Sequence, residues 1–171
     1  MKAINGLGHV ALKVKDVDKS MAFYNGVLGF PEMLRLHHDD GSLFLIYLRI
    51  TDTQYLELFP NAANDRAPGP DANGANHFCL TVDRLEPVLD ALMANGGTPY
   101  AWTKTGAGMA LQPVQKPVIS NGLDGNRQSW LEDPDGNRIE LMQMMPKAMQ
   151  LAAIADLKAG SKKVPVYSVA G

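Results

Sequence analysis

The sequence has little of several features that define large protein classes. It holds one cysteine, Cys79, in 171 residues, so an internal disulfide is excluded and a reducing compartment is expected. No run approaches the roughly 18 consecutive apolar residues that a membrane-spanning helix needs. The amino-terminal residues have no apolar stretch typical of a signal peptide. We therefore expect a cytoplasmic protein without a membrane partner.

An excess of charge of either sign is also missing. The formal net charge is −2 at pH 7, with 20% charged and 46% hydrophobic residues. This balance does not favour nucleic acid as a partner, and the apolar content suffices for one sizeable core. A phosphate loop, a dinucleotide-binding fingerprint and a Cys-x-x-Cys motif are all absent from the sequence.

What the sequence does contain is an internal repeat. Residues 6–30 and 74–98 both begin with Gly-x-x-His, continue as an alternating strand and then show helical spacing of apolar residues. Each copy closes with a similar strand that carries a glutamate. The two histidines lie 68 residues apart and the two glutamates 83 apart, so the second copy is 15 residues longer over this span.

Each copy is predicted to fold as β-α-β-β-β. The middle strands are predicted at Glu32–His37, Leu43–Ile50, Pro99–Trp102 and Gln128–Glu132. The extra residues predict a long loop within Thr103–Arg127, a stretch rich in Gly, Pro, Asn and Gln. Asp-Pro-Asp-Gly at 133–136 predicts a hairpin turn into the last strand.

The pattern predicts one domain over residues 1–171. Module one is placed at 6–60 and module two at 74–144. A C-terminal extension follows at 145–171 and begins with a helix predicted over Met145–Lys158.

The repeat places a histidine or a glutamate at the matching position of four strands. Because side chains alternate along a strand, His9, Glu57, His77 and Glu140 all lie opposite an aliphatic face. Imidazole and carboxylate suit Zn, Ni, Co, Mn or Fe(II), and two adjacent carboxylates without a cation would repel each other. The sequence predicts one divalent-metal site made of these four residues. The alternative is structural histidines and solvated glutamates.

These segments resemble the vicinal oxygen chelate superfamily, the glyoxalase/dioxygenase-like proteins. The resemblance spans residues 6–143 and is most specific in the DPDGN turn before Glu140. Its carriers are GLGHVALKV at 6–14, FYNGVLGF at 23–30, YLELF at 55–59, NHFCLTV at 76–82 and EDPDGNRIEL at 132–141. The resemblance implies an α+β fold in which paired βαβββ modules form a cupped, barrel-like mixed sheet, usually in a homodimer.

The ligand pattern is most similar to that of glyoxalase I (lactoylglutathione lyase), and methylmalonyl-CoA epimerase has a similar set. This resemblance implies a metal-dependent lyase or isomerase that converts a small carbonyl compound through a metal-stabilised enediolate. Glu140 is the first choice for the catalytic base and Glu57 the second. An iron-dependent extradiol dioxygenase, against which Glu57 counts, and a non-catalytic ligand-binding protein remain alternatives.

Two residues are candidates for binding a substrate anion. Lys13 stands where glyoxalase I often carries an arginine that contacts glutathione, and it is either a point charge for a carboxylate or a solvated strand lysine. Arg138 either binds a substrate anion or pairs with a carboxylate. The long second-module loop departs from small bacterial glyoxalases, so neither glutathione nor another substrate is identified. The site is completed either within one chain or across a dimer.

Overall fold

The computed structural model describes residues 3–106 and 108–166. The last part of the predicted C-terminal extension, residues 167–171, lies outside the described residues. The chain divides into two compact units. In its described part, unit one holds residues 3–76, 94–97 and 132–137, and unit two holds 77–93, 98–106, 108–131 and 138–166.

Unit one contains the first β-α-β-β-β module. Its elements are β1 (His9–Lys13), α1 (Val17–Met21), a π-helix (Ala22–Val27), β2 (Glu32–His37), β3 (Leu43–Arg49) and β4 (Tyr55–Phe59). The sheet order is β1-β4-β3-β2, with β1 parallel to β4 and the other pairs antiparallel. The aliphatic face forms the core through the fully buried Ile46, Leu48, Leu56 and Leu58.

The helical segment of unit one begins at a capped end and changes form along its length. The Asp16 carboxylate accepts the Lys19 N–H at 3.1 Å, which satisfies one of the free donors at a helix start. From Ala22 the helix widens, and the Leu28 N–H donates to the Phe23 carbonyl at 2.9 Å. Tyr24 lies in this wider part and is fully buried.

The DPDG turn of module two belongs to unit one. The Lys15 N–H donates to the Asp135 carboxylate at 3.0 Å, and the Tyr24 hydroxyl donates to Asp133 at 2.6 Å. The Gly136 N–H donates back to the Asp133 carbonyl at 2.9 Å, which closes the predicted turn. The two units therefore do not follow the boundaries of the sequence repeat.

Unit two contains nearly all of the second module and one additional hairpin. Its elements are β5 (Phe78–Val82), α2 (Leu85–Ala94), β6 (Tyr100–Thr105), β7 (Gly108–Pro113), β8 (Ser120–Asn121), β9 (Arg127–Glu132), β10 (Arg138–Gln143) and α3 (Met149–Lys158). The sheet order is β5-β10-β9-β6-β7, β8 pairs with β9, and β5 runs parallel to β10. The β1/β4 arrangement is thus repeated by β5 and β10.

The long loop predicted within Thr103–Arg127 is wrong. β6 continues to Thr105 and pairs antiparallel with β7 along its whole length, and Ser120–Asn121 pairs with the start of β9. Gly108, the first residue of β7, adopts a φ of +120° that residues other than glycine rarely take. Composition alone does not distinguish a glycine-containing hairpin from an irregular loop.

The α+β fold with two β-α-β-β-β modules and a C-terminal helix is confirmed. That helix begins at Met149, a few residues later than predicted, because Pro146 and its neighbours form a turn in which the Ala148 N–H donates to Met145. Within residues 3–106 and 108–166, no helix combines the length and the apolar character needed to cross a membrane.

Candidate metal centre

The first histidine–glutamate pair lies in unit one. His9 Nε2 is 3.7 Å from Glu57 Oε2, and the side chains are 48% and 10% exposed, respectively. The Tyr55 ring stacks on the imidazole with ring centres 5.7 Å apart. The carboxylate is therefore largely withdrawn from water, while the imidazole remains open on one side.

The second pair lies in unit two and repeats the first. His77 Nε2 is 3.1 Å from Glu140 Oε2, and the side chains are 33% and 14% exposed. The Trp130 ring meets the imidazole edge-on at 5.0 Å between ring centres. Each module thus holds one imidazole nitrogen and one carboxylate oxygen close together, beside an aromatic ring.

Strand register explains why both pairs form. In unit one Ala11 lies opposite Glu57, and His9 is two residues before Ala11. In unit two Cys79 lies opposite Glu140, and His77 is two residues before Cys79. A displacement of two residues keeps a side chain on the same face of a strand. Because the two modules have the same parallel register, the same histidine–glutamate pair forms in each of them.

The spacing within each pair fits two ligands of one metal ion. Zn binds nitrogen and oxygen donors at about 2.0–2.2 Å, so two donors on one ion lie about 3–3.5 Å apart. The 3.1 Å pair lies in that range, and the 3.7 Å pair needs only a small adjustment. An imidazole with a carboxylate is also a donor set that borderline divalent ions accept.

Neither unit alone offers a complete site. Over the described ranges, neither unit contains a group of three or more His, Cys, Asp or Glu side chains that could hold an ion. Structural and catalytic zinc sites use three or four protein ligands. Each pair by itself therefore supplies fewer donors than such a site needs.

The single cysteine, Cys79, is exposed. Local desolvation, followed by the neighbouring Glu140 carboxylate, raises the pKa of the Cys79 thiol to about 12. The thiolate is the form that acts as metal ligand and nucleophile. Without a bound ion, Cys79 therefore stays a thiol at neutral pH.

Lys13 lies on the same face of β1 as His9 and is exposed. It lines a cavity of about 290 Å³ in unit one, together with residues of the 62–68 connector and the DPDGN turn. Neither His9 nor Glu57 lines this cavity. The structure therefore does not join Lys13 to the first pair through this cavity, and its role as a substrate contact stays a prediction.

Arg138 has a different environment from Lys13. It is only 7% exposed, although it flanks Glu140 in β10. A buried guanidinium needs hydrogen-bond partners within the protein. The burial favours the pairing alternative over direct contact with a substrate anion.

One residue beside the first pair was missed in the sequence. Tyr47 of β3 lies directly opposite Glu57 of β4 in the antiparallel register, and its ring meets the Tyr55 ring edge-on at 5.8 Å between ring centres. The neighbour of a side chain across two strands depends on their register, which the alternating pattern of a single strand does not reveal. The only signal available was the equal spacing of Tyr47 and Trp130, each ten residues before its glutamate.

Comparison with known protein families gives a match over most of the chain. The model of the Glyoxalase/Bleomycin resistance protein/Dioxygenase superfamily matches residues 6–141. That range includes both histidine–glutamate pairs, module one and all but the last three residues of module two.

The curated relatives are distant in sequence, but their alignments with this chain cover most of each relative's length. The chain is 27% identical over 143 residues to a probable lactoylglutathione lyase of Synechocystis, covering 81% of this chain and 95% of that protein. It is 26% identical over 138 residues to a lactoylglutathione lyase of Neisseria meningitidis, covering 79% and 88%, respectively.

Solved structures share the fold. A glyoxalase family protein from Enterococcus faecalis superposes with a TM-score of 0.60 at 22% identity, covering 80% of this chain and 96% of that one. A glyoxalase/bleomycin resistance protein/dioxygenase domain from Frankia gives a TM-score of 0.62 at 17% identity, covering 84% and 100%.

Proposed function

The chain belongs to the glyoxalase/bleomycin resistance protein/dioxygenase superfamily, and on that premise we propose that it is a metal-dependent lyase or isomerase of the glyoxalase I type. Its substrate would be a small carbonyl compound. The likeness to proteins named lactoylglutathione lyase supports this choice over ring-cleaving oxidation.

The observation that carries the proposal is the repeated pair. His9 with Glu57 and His77 with Glu140 occupy the same register in the two modules. One pair in one module would have a simple structural explanation, as a partly buried ion pair. The same pair in both modules, in a fold of this family, favours a shared role as ligands of one divalent ion (Zn, Ni, Co, Mn or Fe).

When bound, a divalent ion would polarise the carbonyl oxygen of the substrate and acidify the adjacent carbon–hydrogen bond. Glu140 would take the proton from that carbon and return it to the neighbouring carbon. Glu57 is the alternative base, and Lys13 would bind an anionic group of the substrate as a point charge.

The first test is elemental analysis of the full-length protein purified without chelators. We expect close to stoichiometric Ni, Zn, Co or Mn, and its loss in the His9→Ala/His77→Ala variant because two of the four donors are gone. Predominant iron would instead favour the dioxygenase alternative. Absence of metal, with none taken up on reconstitution, would show that the four residues are structural.

The second arm of the test is turnover. Glu140→Gln retains the size of the side chain but removes the base, so formation of lactoylglutathione or of an epimerised acyl-thioester should fall by about 10²–10⁴-fold. Metal content measured on the same sample separates loss of the base from loss of the ion. Full turnover by a metal-loaded Glu140→Gln protein would contradict the assignment of Glu140.

The single-histidine variants can show which chains supply the ligands. If the site is completed across a dimer, refolding a mixture of His9→Ala and His77→Ala chains restores one intact site in each mixed dimer. If each chain supplies all four ligands, the mixture binds no more metal than the separate variants.

A further inference from the structure

The C-terminal helix α3 follows the range that the family model matches, which ends at residue 141. Hydrogen bonds fix its first turn to residues 124 and 126 of unit two. The Met149 N–H donates to the Asp124 carbonyl at 2.9 Å. The Gln150 side chain donates to the Asp124 carboxylate and accepts from Asn126 Nδ2 at 3.2 Å. The start of α3 therefore has a defined place in unit two.

The largest aliphatic side chains of α3 point away from the protein. Met149 and Ala153 are its two least exposed residues, and they lie four residues apart on one side of the helix. On the remaining surface Leu151, Ile154 and Leu157 are 40%, 44% and 69% exposed. A surface helix of a globular protein normally directs its large apolar side chains to the core. The outward side of α3 therefore has the character of a surface that packs against another element.

The contacts of α3 within its own unit give it little packing. All ten residues of α3 belong to the described part of the chain, and none of them is buried. A helix shorter than about 12–15 residues is marginal in water, and most helical stability in proteins comes from packing of an apolar face. A partner that covers the three outward residues would supply this packing.

The outward residues of α3 are spaced symmetrically about Ile154. Leu151 lies three residues before it and Leu157 three residues after it. In an antiparallel pair of two copies with a two-fold axis at Ile154, this residue meets its counterpart, and Leu151 of each copy meets Leu157 of the other. An interface between identical surfaces requires such self-complementarity.

Charges on and beside α3 are complementary in the same arrangement. Lys158 lies four residues after Ile154 and Gln150 four residues before it, so Lys158 of one copy lies opposite Gln150 of the other. Because Gln150 hydrogen-bonds the Asp124 carboxylate, the ammonium of one copy approaches an anion of the other. Asp156, the one acidic residue of α3, lies opposite an alanine.

We propose that Leu151, Ile154 and Leu157 form an interface between two copies of this chain, in which the two α3 helices pack antiparallel about Ile154. Each helix is about 15 Å long, and two such helices bury less surface than the roughly 1,200 Å² of a standard stable interface. The association is therefore reversible and depends on protein concentration.

The first test is oxidative cross-linking of the full-length protein in a Cys79→Ser background, in which an introduced cysteine is the only thiol. Ile154→Cys brings two thiols together at the two-fold axis, within the roughly 4.4–6.8 Å between Cα atoms that a disulfide spans. Oxidised glutathione should therefore join these chains in pairs. Ala153→Cys is the matched control, because it places the thiol on the side of α3 that faces the protein, and it should give no pairs above background.

The second test is sedimentation equilibrium over a range of protein concentrations. Leu151→Glu/Leu157→Glu sets like charges opposite each other, so association should weaken by more than about tenfold. Leu151→Glu/Leu157→Lys sets glutamate of one copy opposite lysine of the other, so it should restore association. This rescue requires the antiparallel pairing and would not follow from a general loss of apolar surface.

Three results would overturn the proposal. The first is equal cross-linking at positions 153 and 154. The second is an average molar mass that is the same for the unaltered protein and both double variants at every concentration. The third is a monomer that binds vesicles of anionic lipid through the same leucines, which would assign this face of α3 to a lipid surface. Metal binding by the four candidate ligands is measured separately, so the proposed function stands or fails independently.

Discussion

The carboxylate of Asp133 binds residues from both sequence modules, and all of these residues lie within unit one. It is only 3% exposed. Its carboxylate accepts the Tyr24 hydroxyl at 2.6 Å, the Asn137 N–H at 2.7 Å and the Asp135 N–H at 3.0 Å. These bonds satisfy a buried acceptor that would otherwise cost about 1–3 kcal/mol. Tyr24 of the first repeat is thereby tied to the turn of the second.

The stability of the protein should depend on pH through Asp133. Burial raises the pKa of Asp133 above its unfolded value of 3.8, although the hydrogen bonds from Tyr24 and Asn137 oppose the shift. The folded state then binds the proton more tightly than the unfolded chain. The associated stability is fully present below pH 3.8 and is lost as the pH rises through the raised pKa.

Urea unfolding of the unaltered protein and of Asp133→Asn, across the mildly acidic range, measures this effect. The amide approximates the uncharged acid and does not titrate. We expect the stability advantage of the unaltered protein over the variant to shrink as the pH rises through that window. An advantage that stays constant or grows would show that the hydrogen bonds outweigh burial.

At the scale of elements, the DPDG turn depends on the backbone conformation of its glycine. Gly136 has a φ of +82°. A Cβ at this position would come within 2.8 Å of Arg66 Nη2, and this guanidinium pairs with Glu132 at 2.6 Å. Glycine is required both for the left-handed backbone and for the close approach of Arg66.

Gly136→Ala should therefore destabilise the fold more than an alanine substitution at a glycine that has a left-handed backbone but no close neighbour. Gly41→Ala is the matched control, because Gly41 has a φ of +83° with no other atom within 4 Å of an added Cβ. The left-handed backbone costs roughly 1–2 kcal/mol in both variants. The displaced Arg66–Glu132 pair adds up to about 1 kcal/mol for Gly136→Ala.

Urea denaturation at neutral pH measures both free energies of unfolding. The same comparison in an Arg66→Ala background removes the obstructing guanidinium. We expect the two glycine variants to become equally destabilised there. A difference that persists without Arg66 would place the cause in the turn backbone.

At the scale of the whole molecule, the proposed ion would connect the two modules energetically. Each pair supplies only two donors, so binding of one ion by both pairs favours only conformations in which both modules are folded. A ligand of the folded state adds about 2.7 kcal/mol of stability at 100 times its dissociation constant. The metal is therefore expected to be a structural as well as a chemical component.

Thermal unfolding with and without Zn²⁺ or Ni²⁺ tests this expectation. Either ion should raise the midpoint of the chelator-stripped protein and leave that of His9→Ala/His77→Ala unchanged. Mg²⁺ at the same concentration is the ion control, because it prefers oxygen ligands and keeps much of its water. An equal rise in the double variant would locate metal binding elsewhere on the chain.

The sequence by itself determined the repeat, and through it most of the fold. Alternation and helical spacing are local properties, so β2 was predicted at Glu32–His37 and is found there. The histidine and glutamate of each module were predicted to share faces because one strand period defines a face. The two pairs in which they meet follow the parallel register of β1 with β4 and of β5 with β10.

Only the tertiary structure decided features that depend on contacts between distant residues. The β6–β7 hairpin depends on strand pairing, which the glycine-rich composition of that stretch concealed. The exposure of Cys79 and the burial of Arg138 depend on which elements cover them. The position of Tyr47 opposite Glu57 depends on cross-strand register. The local sequence pattern determines on which face of its own strand or helix a residue lies. Its neighbours from other elements are determined by packing and strand register.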